Sequence, residues 1–102
     1  MSLNFDDAYA KLKNIADAGE RASRFKASEW FIWLEENIFK ALDREAITKM
    51  KLAKTEEDRV MAQQMFLAAE KPRALIDHLI NQGNGAIQEL KSLYPKEDEN
   101  NG

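Results

Sequence analysis

Cysteine is absent from the 102 residues, and histidine occurs once, at His78. The first absence excludes a disulfide scaffold, a thiolate metal site and a cysteine nucleophile. The second excludes any chemistry that needs two imidazoles. Glycine and proline are scarce, at four and two residues, so few positions interrupt regular structure. Long apolar runs are missing as well. Trp30-Phe31-Ile32-Trp33-Leu34 is five residues, whereas a bilayer span needs about 20. The stretch from Met1 to Asp7 is polar and acidic, unlike a secretory leader. A cytoplasmic protein with no membrane partner is the expectation.

Neither sign of charge dominates. Lys and Arg number 15 against 18 Asp and Glu, for a net charge of −3, which argues against a wholly basic nucleic-acid binder. Hydrophobic residues at 44% and charged residues at 32% suit a soluble globular fold rather than a disordered chain. The length suits one domain. It is placed at residues 1–95, with residues 96–102 as a disordered polar tail that has nothing to bury.

What is present is helical patterning. Apolar residues recur at spacings of three and four, and runs of β-branched residues are missing. A first helix is expected from Phe5 to Asp17, capped by Asn4, with Asp6 and Asp7 against the positive end of its dipole. Phe5, Tyr9, Leu12 and Ala16 share its face, and Gly19 is expected to end it in a left-handed cap. A long second helix is expected from Ser28 to Ala53, with Ser28 as N-cap and a start nearer Glu20 as the alternative. Its stripe is Trp30, Leu34, Ile38, Ala41, Leu42 and Ala53, and Glu36 pairs with Lys40 one turn on. Thr55 then caps a third helix, with Asp58 placed to reach back, that carries Met61, Met65, Ala68, Leu75 and Leu79.

Two interruptions leave alternatives. Pro72 either kinks the third helix or starts a new one; Ala68, Leu75 and Leu79 stay in phase across it, which favours a kink. Gly83-Asn84-Gly85 either ends the helix before a short fourth one or lies within a continuous seam of Ile76, Ile80, Gly83, Ile87, Leu90 and Tyr94. Each glycine inside a helix costs about 1 kcal/mol, which favours the break. The fold expected is all-α. A long antiparallel helical hairpin, residues 28–53 against 56–82, is joined by an N-terminal and a C-terminal helix into a small bundle.

Enzyme signatures are lacking. There is no glycine-rich phosphate loop and no Glu-x-x-His pair. His78 sits between Asp77 and Leu79, close to the core face, and reads as a boundary histidine. Glu70, Arg73 and Asp77 share a helical face and read as an ion-pair chain, of a kind that contributes about 0–1 kcal/mol when exposed. No catalytic residue, cofactor or metal is expected.

Two surfaces invite a partner. Five consecutive bulky apolar residues point almost all the way around a helix, so Trp30 and Leu34 on the internal stripe leave others outside. Phe31, Ile32, Trp33 and Phe39 are the expected interface, since aromatic side chains are enriched at such surfaces; the alternative is a central second helix covered by the first helix on one side and the third on another. Met61, Met65, Phe66 and Met50 form a methionine-rich patch, read as core filling or as an adaptable binding surface. The second surface is basic. Lys40, Arg44 and Lys51 share a face, and residues 40–54 hold five bases against Asp43 and Glu45. It is read as a solvated face, a contact for an acidic partner or, less readily, for nucleic acid.

Trp30…Trp33-Leu34, then Lys54-Thr55-Glu56-Glu57-Asp58-Arg59, Ala62-Gln63-Gln64 and an apolar run to Leu79-Ile80 resemble small bacteriophage-encoded helical proteins. The resemblance implies an antiparallel helical hairpin, a role as an accessory or virion-assembly factor, and a place in the host cytoplasm or the virion. The function expected is a non-enzymatic, self-assembling interaction protein, a homo-oligomer that also engages another protein, in a phage setting as a virion-assembly or host-interference factor. A small DNA-associated protein using Lys40, Arg44 and Lys51 is the alternative.

Overall fold

A computed structural model describes residues 5–93. They are helical throughout apart from two short connections. Helix α1 is Phe5–Lys26, α2 is Glu29–Leu34, a π-helical turn spans Glu35–Phe39, α3 is Lys40–Leu52, and α4 is Glu56–Leu93. The Asn4 cap and the polar tail lie outside the described residues. Among the described residues, no helix is long and apolar enough to cross a membrane.

The expected caps form where the connections are. The Ser28 hydroxyl accepts from the Phe31 amide at 3.2 Å and donates to the Phe25 carbonyl at 2.6 Å. It therefore closes one helix and opens the next. Thr55 accepts from the Asp58 amide at 3.1 Å, and Glu56, Glu57 and Asp58 fill the first turn of α4, where acids suit the helix dipole. Glu36 accepts from Lys40 at 2.7 Å.

Contacts divide the chain into two compact units, one of residues up to Arg24 and from Asp77 onward, the other Phe25–Ile76. In the first unit the two glycine expectations are overturned. Gly19 does not end α1, which runs on to Lys26, and Gly83 and Gly85 do not break α4. Among the described residues there is therefore no separate fourth helix after Gly85, and no glycine has a positive φ. The cost of helical glycine is offset by contact. A Cβ on Gly19 would lie 2.6 Å from the Gly83 Cα and 2.8 Å from the Leu79 carbonyl oxygen; one on Gly83 would lie 2.7 Å from the Gly19 Cα. The two backbones touch. Buried Ala16, Ala22 and Ala86 extend that small-residue seam.

Gly85 is different, because nothing stands within 4 Å of a Cβ built there. It has the backbone entropy cost without the contact. Gly85→Ala is expected to stabilise the protein by up to about 1 kcal/mol, read as a melting temperature higher by up to about 4–8 °C. A fall would show that α4 does not run through this residue in solution.

In the second unit α4 passes Pro72 without ending, so the reading of a new helix there is overturned. Here too the buried positions are small. Ala46, Ala62 and Ala69 are buried, and Phe31 is the one large side chain among the buried residues described.

Candidate functional site

The segment from Glu29 to Leu52 departs from a plain helix at one place, and the departure decides which residues face inward. Phe31, Glu35, Phe39 and Asp43 are spaced four apart. In an α-helix each such step overshoots a full turn by about 40°, so residues 31 and 43 would diverge by about 120°. The π turn at Glu35–Phe39 holds one residue more than an α turn and takes up that drift. The Lys40 amide donates to the Glu35 carbonyl across it, and the Asn37 side-chain amide donates to the Trp33 carbonyl at 2.9 Å.

The inward row meets Arg73 of α4. The guanidinium donates twice to Glu35, Nε to Oε2 at 3.0 Å and Nη2 to Oε1 at 2.6 Å. Nη1 donates to Asp43 at 2.9 Å and to Glu70 at 2.9 Å. The guanidinium also stands 5.4 Å from the Phe39 ring centre, within reach of a cation–π attraction. Phe31 completes the row, edge-on to Phe25 at 5.6 Å and to Phe39 at 6.3 Å, an arrangement that sets ring edge against ring face. The Arg73 side chain is 19% exposed. Hydrogen bonds to Glu35 raise its pKa above the ordinary arginine value; burial opposes this, and Asp43 and Glu70 add to it. A raised cation pKa stabilises the fold below the unfolded value and is lost only above the folded one. Arg73 therefore stays charged past the pH at which an ordinary arginine titrates.

This network corrects two expectations. Arg73, expected in an ion-pair chain along one helical face, bonds Glu70 on that face but also reaches Glu35 and Asp43 across 38 and 30 residues, and is largely buried there rather than on the surface. Phe31, expected at an interface, is 8% exposed and buried inside its own unit, and Phe39 is half-buried against it. Trp30 makes the reverse move: expected on the internal stripe, it is 77% exposed. The physical reason is the π turn, which a straight-helix stripe does not contain. Ile32 and Trp33 stand where the sequence placed them, outward and each 54% exposed. His78 is exposed rather than at the core boundary.

A groove of about 350 Å³ lies further along the second unit. Buried Ala46 and Ala62 line it together with Ile47, Met50, Phe66 and Leu67, all exposed. Met61 is exposed as well, whereas Met65 is half-buried, so most of the methionine-rich patch lies outside the core. On the basic face, Lys40 is paired with Glu36, and Lys49 approaches Glu45 at 3.8 Å. Arg44 and Lys51 are exposed. Among the described residues no three acidic or histidine side chains gather as a metal site.

The chain matches no protein-family model, and neither the curated proteins nor the solved structures contain a match to it.

Proposed function

We propose that the protein is a non-enzymatic helical interaction module that self-associates through the Trp30, Ile32 and Trp33 face and, through its apolar surfaces, engages another protein. One observation carries this reading. Phe31 is the single large side chain among the buried residues described, the others being alanines and glycines, while Trp30, Trp33, Leu52, Met61 and Leu75 stand in solvent. Burying a side chain of that size is worth roughly 1.5–3 kcal/mol, and the chain leaves that gain unused on its own. Association with a second copy recovers it, and a symmetric pair is the commonest way to do so.

The hairpin expectation fits this reading. Glu35 meets Arg73, Ala46 lines a groove with Ala62, and Leu52 shares a cavity with Met61. That order is the one an antiparallel pair requires. A pair of helices has two faces left over, which suits assembly. The phage setting rests on the sequence resemblance alone. The DNA-associated alternative loses ground, because Lys40 and Lys49 each have an acid one turn back.

The native mass tests it. Light scattering is expected to give a multiple of 11.7 kDa for the wild type. Trp30→Ser combined with Trp33→Ser is expected to give the monomer mass with unchanged far-UV circular dichroism. A wild type that stays monomeric at every concentration reached overturns the proposal.

A further inference from the structure

The residues around the π turn come in chemically similar neighbours. Phe31 is followed by Ile32, and Glu35 by Glu36. If the surplus residue of the π turn were drawn into regular α-helix, α2 would rotate by about 100° and advance by about 1.5 Å. Each inward position would pass to the next residue along. Ile32 would take the place of Phe31, and Glu36 that of Glu35 on Arg73. An apolar side chain replaces an apolar one and a carboxylate replaces a carboxylate, so Arg73 keeps its partner in either arrangement.

We propose that Glu29–Phe39 is a two-register element, with Arg73 as the latch that holds the π register and accepts the α register as the minor state. The π register keeps both edge-on contacts of Phe31 and the bidentate bond to Glu35. The α register regains regular backbone bonding, but turns Leu34 out of its half-buried position in favour of Glu35. The bend at Ala27 and Ser28 is where the advance of α2 is taken up. The exchange carries Trp30 and Trp33 about 100° around the helix axis, and so changes which aromatic face is on offer. The device is independent of the self-association reading, since it lies within one chain.

Nitrogen-15 relaxation dispersion on the wild type is the test, because register shifts of helices fall in the microsecond to millisecond range. Exchange is expected at the amides of residues 29–40, unchanged on dilution; exchange caused by association would vary with concentration. Deletion of Asn37 removes the surplus residue. Phe31 and Phe39 then stand seven apart, about 20° short of two α turns, so the variant is expected to fold with the native partners and a flat dispersion profile. A second arm uses Glu35→Ala. In the wild type, Phe31→Ala is expected to lower the melting temperature more than Ile32→Ala; in the Glu35→Ala background the order is expected to reverse. Flat dispersion at residues 29–40 in the wild type, loss of folding on deletion of Asn37, or the same order of sensitivity in both backgrounds overturns the proposal.

Discussion

Gly83→Leu is expected to lower the melting temperature by about 10 °C or more. The reason is contact with backbone rather than with a movable side chain. The first added carbon would lie 2.7 Å from the Gly19 Cα and 3.3 Å from the Gly19 nitrogen. Overpacking of this kind costs about 1–3 kcal/mol, sometimes more, and a main chain in a helix has no rotamer through which to yield. Exchange of glycine for a helix former returns about 1 kcal/mol, so Gly83→Ala is expected to lose modestly. Leucine gains no more propensity than alanine, yet adds three carbons that must push α1 and α4 apart. Gly19→Leu is expected to behave alike, since its Cβ would meet the Gly83 Cα and the Leu79 carbonyl. Thermal melts followed by circular dichroism, with Gly85→Leu alongside, separate the contact from the propensity. Equal shifts for Gly83→Leu and Gly85→Leu would mean that α1 and α4 do not touch there.

The same pair of glycines explains where sequence reading succeeds and fails. Helix type is legible, because periodicity and the Ser28 and Thr55 caps are local and strong. Glycine misleads because its two uses, ending a helix and letting two helices touch, look alike along the chain. Only a partner as distant in sequence as Gly83 tells Gly19 from a cap. The π turn is illegible for a related reason. A stripe drawn at a uniform step of about 100° per residue puts Trp30 inside and Phe31 outside, and one surplus residue reverses both. The spacing of Phe31, Glu35, Phe39 and Asp43 at steps of four is the available signal, since its drift needs correcting. Arg73 carries no mark of its distant partners, although an arginine on a helix face whose neighbours are proline and alanine is a candidate for tertiary pairing.

Arg73→Met is expected to be the most costly single change at a charged residue of the second unit. Methionine keeps an apolar stem against Phe39 but removes the one cation shared by three carboxylates. Glu35, Asp43 and Glu70 would then face one another, with Asp43 left without a partner, since its Oδ1 is already buried and accepts no hydrogen bond. Removing one member of a fully buried pair costs about 3–5 kcal/mol. The Glu35 and Asp43 side chains are each 26% exposed. Solvent therefore screens part of the repulsion, and about 2 kcal/mol is the expected loss. Arg73→Lys keeps the charge without the planar fork, and is expected to lose part of the same amount. Replacing the members together tests what the network is for. A buried ionic group is often no more stabilising than apolar residues of its shape. Arg73→Met with Glu35→Leu and Asp43→Leu is therefore expected to regain most of the lost melting temperature. The regained stability would come without directional bonds, so Phe31 and Ile32 should compete more evenly for the inward position. A triple variant as unstable as Arg73→Met would instead make the network a net source of stability, and the alignment of α2 with α4 a consequence of it.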